Sequence, residues 1–244
     1  LWGIDLGGTK IEGVVLESAE NPKILARERI PTESEMGYRH VINQIGRLIV
    51  LLTKKTGFKP TGVGMGTPGT LEPDTGLMKN SNTTCINGKP FQKDLEEQFK
   101  IQFKIANDAN CFALAEAKFG AGKEINPGAE VVFGVILGTG VGGGVIAHDK
   151  IIGGMHGLGG EWGHNFLDES GGKCYCGRAG CVETVISGPA LEKYYSGLTG
   201  SQLSLREINE KYEKGQDEEA TKTIERLLHF FGKAIANVIN IIDP

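Results

Sequence analysis

The feature that most constrains the fold is a glycine-rich segment that occurs twice. Two short apolar runs, residues 1–6 and 11–17, flank Gly7-Gly8-Thr9-Lys10. At an offset of 131 residues, the apolar runs 131–137 and 145–152 flank a second series of glycines. Apolar runs joined by a tight glycine turn predict a β-hairpin. Because the hairpin recurs once in each half, the sequence predicts two related lobes.

The remaining elements indicate an α/β fold. Apolar periodicity or alanine content predicts helices over residues 37–56, 91–100, 111–119 and 218–242. Short apolar runs predict strands over residues 63–65 and 103–106, and residues 153–172 are loop-like, with eight glycines. We therefore expect an N-terminal α/β lobe over residues 1–106. A larger lobe over residues 107–244 would hold the second turn, a cysteine-rich loop and the long last helix.

Composition excludes several classes of protein. The 37 glycines among 244 residues are about twice the usual share of roughly 7% and show no G-x-y period, so they serve local turns or close approach to a ligand. The net charge is −4, with 26 basic and 30 acidic residues and no basic cluster, so nucleic acid is not an expected partner. No run approaches the roughly 18 apolar residues of a membrane span. We expect no membrane contact and a cytoplasmic location.

The two glycine turns are candidate phosphate sites. Successive backbone amides at such a bend form a concavity that suits phosphate oxygens. The candidate contacts are Gly7, Gly8, Thr9, Lys10, Gly138, Thr139 and Gly140. Asp5, just before the first turn, could hold a hydrated Mg²⁺ against the phosphates. A purely structural hairpin would explain either turn alone, whereas two lobes that face each other would bring both turns to one cleft.

A cluster of cysteines near a histidine predicts a metal centre. Three thiols and one imidazole lie within eighteen residues, namely His164, Cys174, Cys176 and Cys181. This soft ligand set suits tetrahedral Zn²⁺. A disulfide is the alternative, but Cys85 and Cys111 are far away in the sequence and complete no secreted framework. A catalytic thiol is disfavoured because no neighbouring residue supplies an evident base.

Two further pairs of polar residues lie where chemistry could take place. Asn107 and Asp108 follow a predicted strand at the mouth of a helix, where either side chain could simply cap the helix. Glu161 precedes His164 by three residues, so the two would face the same way on a helical turn. A metal-bound histidine can present its second ring nitrogen to a substrate hydroxyl. The alternative is a structural histidine.

Together these motifs resemble a known family. Residues 5–10 and 137–144 are similar to the two phosphate loops of the actin-like ATPase superfamily, and no Walker A pattern is present. Cys174 to Glu183 matches the pattern CxCGxxGCxE, the signature of ROK sugar kinases, at every fixed position. The resemblance implies a two-lobed actin-like (ribonuclease H-like) fold with duplicated β-hairpin phosphate loops and a central ligand cleft.

The resemblance also implies roles for individual residues. Asp108 would be the general base for a sugar hydroxyl, and Asn107 would orient the sugar. Glu161, His164 and Glu183 would bind sugar hydroxyls, and zinc would order the loop that carries them. ATP with Mg²⁺ would be the phosphoryl donor, and phosphoryl transfer then needs alignment, charge neutralisation and one proton acceptor.

The resemblance predicts an ATP-dependent hexose kinase that acts on the 6-hydroxyl of fructose, glucose or mannose, in a homodimer. An N-acetylhexosamine kinase is the alternative. Another is a sugar-sensing regulator of the same family, whose helix-turn-helix domain would precede the first phosphate loop. An actin-like ATPase with a protein partner fits the sugar-type cluster less well. ROK kinases usually continue beyond a segment like Asp243-Pro244, so we expect the C-terminal part of the fold to be missing from this chain.

Overall fold

A computed structural model describes all of residues 1–244. The chain forms two compact units. Unit 1 comprises Leu1–Cys111 and Gly153–Leu158, and unit 2 comprises Phe112–Ile152 and Gly159–Pro244. The bounds of these units differ from the two lobes expected at residues 1–106 and 107–244, which stay a prediction.

Unit 1 is built on a five-stranded sheet with strand order β3-β2-β1-β4-β7. Its strands are β1 (Trp2–Leu6), β2 (Lys10–Leu16), β3 (Ile24–Pro31), β4 (Gly62–Thr67) and β7 (Gln102–Asn107), with a small separate pair, β5 (Thr70–Leu71) and β6 (Met78–Lys79). Its main helices are α1 (Tyr38–Thr56) and α2 (Phe91–Phe99), and α3 (Asp108–Phe119) starts directly after β7. Helix α1 lies close to the sheet because Gly13 has no side chain, and a Cβ there would fall 2.7 Å from Leu52 Cδ1.

The register of this sheet places the acidic residues. Strands β1, β4 and β7 run parallel, with Asp5 opposite Gly66 and Thr67 opposite Asn107. Carboxyl ends of parallel strands lie at the same edge of a sheet. Asp5 and the beginning of α3 therefore lie at one edge of unit 1.

Unit 2 is built on a three-stranded antiparallel sheet with helices around it. Its strands are β8 (Val131–Leu137), β9 (Val141–Ala147) and β10 (Lys150–Ile151), and its further helices are α4 (Ala121–Ile125), α5 (Val182–Ile186), α6 (Gly188–Thr199), α7 (Leu205–Glu213) and α8 (Glu218–Ile242). Trp162 joins the sheet to the loop that follows it. Its ring packs edge-on against Phe133 at 5.6 Å, and its Nε1 donates to Gly142 O at 2.8 Å.

The predicted hairpins are confirmed, but their turns differ by one residue. In the first hairpin Leu6 pairs with Ile11 across four residues. In the second, Leu137 pairs with Val141 across three residues. The offset of 131 residues thus relates the first strands of the two hairpins. For the second strands the offset is 130 residues, because the second turn is one residue shorter.

The long helices were also predicted correctly. Helix α8 covers the predicted residues 218–242, and α1 begins one residue inside the predicted range. None of the helices combines the length and the apolar character needed to cross a membrane.

Candidate active site and metal centre

Two acidic residues, Asp5 and Asp108, lie beside Gly66 at the sheet edge of unit 1. A Cβ built on Gly66 would fall 3.7 Å from Asp5 Oδ1 and 3.8 Å from the Cα of Asp108. Burial raises the pKa of Asp5, and the neighbouring charge of Asp108 raises it further. Burial also raises the pKa of Asp108. The ionised form of each carboxylate is therefore unfavourable at this site. A bound cation or an added proton would stabilise the site.

The adjacent Cys111 is not a nucleophile at neutral pH. Burial raises the pKa of its thiol to about 11, and the charges of Asp108 and Asp5 contribute. Because the thiolate is the reactive form, this cysteine stays inert near the acidic pair.

The helix cap is made by Asn107 rather than by Asp108. Asn107 Oδ1 accepts from the backbone amides of Ala109 at 2.9 Å and Asn110 at 3.3 Å. Asp108 uses one carboxylate oxygen, Oδ1, to accept from the Ala109 amide at 2.8 Å. The capping role considered for both residues therefore falls to Asn107, which reaches the amide of Asn110 as well as that of Ala109.

The first glycine turn is held by two residues that the sequence did not single out. Thr32 Oγ1 donates to Gly7 O at 2.7 Å, and Ser34 Oγ donates to Gly8 O at 3.3 Å. In a planar trans peptide the carbonyl and the following amide point in opposite directions. The amides of Gly8 and Thr9 thus point away from Thr32 and Ser34, as a phosphate-binding concavity requires.

Glycine at two turn positions has no internal structural reason. A Cβ on Gly8 would meet no atom nearer than 3.8 Å, and a Cβ on Gly138 would meet nothing within 4 Å. Neither residue has a φ in the left-handed range. Glycine at both positions leaves the backbone open to the close approach of a ligand.

The second turn is tied to the cysteine-rich region by Glu183. Its Oε2 accepts from the Val141 amide at 3.0 Å, and a Cβ on Gly140 would fall 2.4 Å from the same oxygen. The Gly188 amide donates to Gly138 O at 2.9 Å. A cavity of about 380 Å³ beside this turn is lined by Leu137, Gly138, Thr139, Ile186, Gly188, Pro189, Leu191, Glu192, Leu205 and Leu227. Glu183, expected to bind sugar, thus has one oxygen engaged by the phosphate-type turn.

The four predicted metal ligands converge. The donor atoms of His164, Cys174, Cys176 and Cys181 all lie within 4.8 Å of one another. Cys176 Sγ and Cys181 Sγ are 3.7 Å apart, and Cys174 Sγ lies 3.5 Å from His164 Nδ1. A tetrahedral Zn²⁺ with Zn–S of about 2.3 Å and Zn–N of about 2.05 Å would set these separations at about 3.8 Å and about 3.6 Å. A disulfide needs about 2.05 Å between sulfurs, and all five cysteines are free. The ligand set fits zinc.

The other nitrogen of His164 faces away from the thiols. Its Nε2 lies 3.0 Å from Tyr175 Oη and 3.9 Å from Glu161 Oε2. The expected pairing of Glu161 with His164 is therefore present, on the single 3₁₀ turn Trp162–His164. The contact with Tyr175 was not predicted, because that residue occupies a variable position of the cysteine motif.

Comparison with known proteins decides the family. Residues 1–244 match the sequence model of the ROK family. The chain belongs to the ROK family. The curated N-acetyl-D-glucosamine kinase of Histophilus somni (strain 129Pt) is 36% identical to it over 254 residues, covering 100% of this chain and 80% of that relative.

Solved structures of ROK proteins share the fold. The ROK hexokinase of Thermus thermophilus superposes with a TM-score of 0.86 at 30% identity, covering 100% of this chain and 78% of that one. A ROK family glucokinase of Streptomyces griseus, solved with glucose and AMPPNP, gives a TM-score of 0.78 at 27% identity, with coverages of 100% and 80%. The fold is the mixed α/β fold of ROK and actin-like proteins, and the enzyme class is ATP-dependent sugar kinase. Both expectations from the motifs are confirmed.

Proposed function

We propose that this ROK chain transfers the γ-phosphoryl group of ATP to the 6-hydroxyl of an N-acetylhexosamine, with N-acetylglucosamine as the first candidate. The observation that carries this choice is the 36% identity, over the whole chain, to an N-acetyl-D-glucosamine kinase. The order of candidates from the sequence is thereby reversed, since unsubstituted hexoses came first there.

Asp108 is the proposed general base. A base must take the hydroxyl proton as the oxygen attacks, and its pKa works best when it lies towards the operating pH. Burial raises the pKa of Asp108 in that direction, and the Ala109 amide donates to its Oδ1 at 2.8 Å, which fixes the carboxylate at the helix start. Asn107, which donates through Nδ2 to Gly69 O at 3.4 Å, is held at the same helix start and is proposed to orient the sugar.

The first turn is proposed to hold phosphate. The amides of Gly8 and Thr9 are aimed by Thr32 and Ser34, and Lys10 adds a positive charge at an exposed position. Asp5 is the proposed contact for hydrated Mg²⁺, which would neutralise developing charge on the phosphates when bound. The raised pKa of Asp5 supports this assignment, because a neighbouring cation favours the ionised form of a carboxylate. Gly138, Thr139 and Gly140 are proposed as further nucleotide contacts in unit 2.

The sugar hydroxyls are proposed to contact His164, Glu161 and Glu183. Charged acceptors suit sugar hydroxyls because they form stronger hydrogen bonds than neutral ones. Zinc held by His164, Cys174, Cys176 and Cys181 would fix the loop that carries His164 and supply no bond-making chemistry. The proposal thus assigns the metal a structural role.

A coupled ADP-release assay against a panel of sugars tests this proposal. N-acetylglucosamine should give the highest kcat/KM, ahead of N-acetylmannosamine, glucose, mannose and fructose. Asp74→Asn, an exposed acidic position in the same unit, serves as a control variant with unchanged turnover. Absence of turnover with every sugar, despite measurable sugar binding, would favour the regulator alternative.

An unsubstituted hexose is the second candidate substrate. It is favoured by the 30% identity and the TM-score of 0.86 to the Thermus thermophilus ROK hexokinase. The same assay separates the two, because a hexose kinase would give glucose, mannose or fructose the highest kcat/KM.

A further inference from the structure

Tyr175 makes a contact that packing does not explain. It lies between two of the metal-ligating cysteines and its side chain is largely in solvent, with the residue 81% exposed. Its hydroxyl nevertheless lies 3.0 Å from His164 Nε2, and the two rings are perpendicular with centroids 5.1 Å apart. Because so little of its area is buried, the position of the Tyr175 side chain is set mainly by its contact with His164.

The partner atom is the one that the proposed function assigns to the sugar. His164 Nδ1 faces the thiols, 3.5 Å from Cys174 Sγ. A neutral imidazole that uses Nδ1 as a ligand carries its proton on Nε2, so Nε2 donates. One N–H group makes one strong hydrogen bond. The Tyr175 hydroxyl and a sugar hydroxyl therefore compete for the same donor.

The surroundings of the phenol are also those proposed for the sugar. The negative charges of Glu183 and Glu161 both act on the Tyr175 hydroxyl, and His164 Nε2 lies 3.0 Å from it. The phenol therefore lies near all three side chains proposed to bind sugar hydroxyls. Chemically it is a hydroxyl group placed where a sugar hydroxyl would bind.

We infer that Tyr175 sets the sugar affinity of this chain: its hydroxyl occupies the sugar-binding nitrogen of His164 in the free protein and leaves it when sugar binds. The inference rests on the proposed role of His164. The exposed ring can turn towards solvent without opening a core. Because only the fraction of molecules with a vacated His164 Nε2 binds sugar, the apparent affinity falls by that fraction.

Calorimetric titration of N-acetylglucosamine into three proteins tests the inference. Tyr175→Phe keeps the ring but removes the competing hydroxyl, so Kd and KM for the sugar should fall about 2- to 10-fold, the range expected for one net hydrogen bond. The value of kcat and the KM for ATP should not change. Tyr212→Phe, which alters a tyrosine in α7, is the matched control and should bind like the unmodified chain. Zinc content, measured in parallel, should equal that of the unmodified chain in both variants.

Three results would overturn the inference. Unchanged or weaker sugar binding by Tyr175→Phe would mean that the hydroxyl does not compete. Loss of zinc from that variant would make Tyr175 a support of the metal site instead. If the unmodified chain bound neither N-acetylglucosamine nor any hexose, the proposed function itself would fail and the inference with it, so the two failures are distinguishable.

Discussion

The two glycine turns share a backbone design but differ in chemistry. At the offset of 131 residues, Asp5 corresponds to Ile136. Because the second turn is one residue shorter, Lys10 corresponds to Gly140, so only the first hairpin carries charged residues of its own beside the turn. The first turn is held by hydroxyl groups of Thr32 and Ser34 on its carbonyls. The second is held by the Glu183 carboxylate on the Val141 amide and by the Gly188 backbone amide on Gly138 O. The two turns therefore share the hairpin and differ in the contacts around it.

This difference indicates a division of labour. Around the first turn, the acidic pair and the aimed amides are suited to phosphate and proton chemistry. Around the second turn, Glu183 connects the backbone to the loop that holds the metal ligands, because it follows Cys181 by two residues. Damage near the first turn should therefore appear in kcat or in the KM for ATP, and damage to the metal loop should appear in the KM for sugar.

The largest expected effect is on Asp108. Asp108→Asn keeps the size of the side chain and removes the base, so kcat should fall by about 10² to 10⁴ while the KM for sugar changes little. Steady-state kinetics with Asp74→Asn as control measure this. Turnover close to that of the unmodified chain would mean that Asp108 is not the base. It would also contradict the assignment of proton chemistry to the region of the first turn.

The same variant should be more stable at neutral pH. The folded-state pKa of Asp108 is raised, so its ionised form is less favourable in the folded than in the unfolded chain. The stability that it contributes is present below the unfolded pKa and is lost as pH rises through the folded pKa. Asp108→Asn should therefore raise Tm at pH 7, and the difference should shrink towards acidic pH. A lower Tm at pH 7 would contradict the cost assigned to this carboxylate.

Much of this organisation could be predicted from the sequence, for identifiable reasons. The hairpins follow from apolar runs around glycines, and α8 follows from its apolar stripe. The metal centre follows from ligand type and close spacing, since short glycine-rich loops leave few ways to separate the four donors. In each case the decisive interactions are local in the sequence.

The rest depends on long-range contacts. Thr32 and Ser34 support the first turn from 25 and 26 residues away, and no motif marks them. Strand β3 (Ile24–Pro31) was not predicted because its polar residues Arg27, Glu28 and Arg29 obscure the alternation. The one-residue difference in length between the two turns was missed, because a constant sequence offset compares residue types and carries no information on strand register.

The intermediate effect is expected at the metal loop. Cys176→Ser removes one thiolate from the ligand set, so metal affinity should fall by at least the roughly 10- to 100-fold seen on loss of a supporting group. The KM for sugar should rise with it, because His164 would no longer be fixed. Elemental analysis and steady-state kinetics measure both, with Cys85→Ser, a free cysteine of unit 1, as the matched control. Full zinc content in Cys176→Ser would contradict the assigned ligand set.

The smallest effect should come from Thr32→Val, and it examines the first turn alone. The substitution preserves shape but removes the hydroxyl that bonds to Gly7 O in a fully buried setting. A buried carbonyl without its donor lowers the stability by about 1 to 3 kcal/mol. The orientation of the Gly8 amide is then no longer fixed. The KM for ATP should therefore rise several-fold while the KM for sugar stays constant.

Thr223→Val supplies the control for this variant. Thr223 is equally buried and its hydroxyl also donates to a backbone carbonyl, that of Glu219 in α8. It should lower Tm without changing the KM for ATP. If both threonine variants altered the two KM values alike, the effect would be one of general stability, and the first turn would have no separate support. If Thr32→Val instead raised only the KM for sugar, the division of labour between the first turn and the metal loop would be wrong, because the hydroxyl contacts of the first turn would then serve the sugar and not the phosphate.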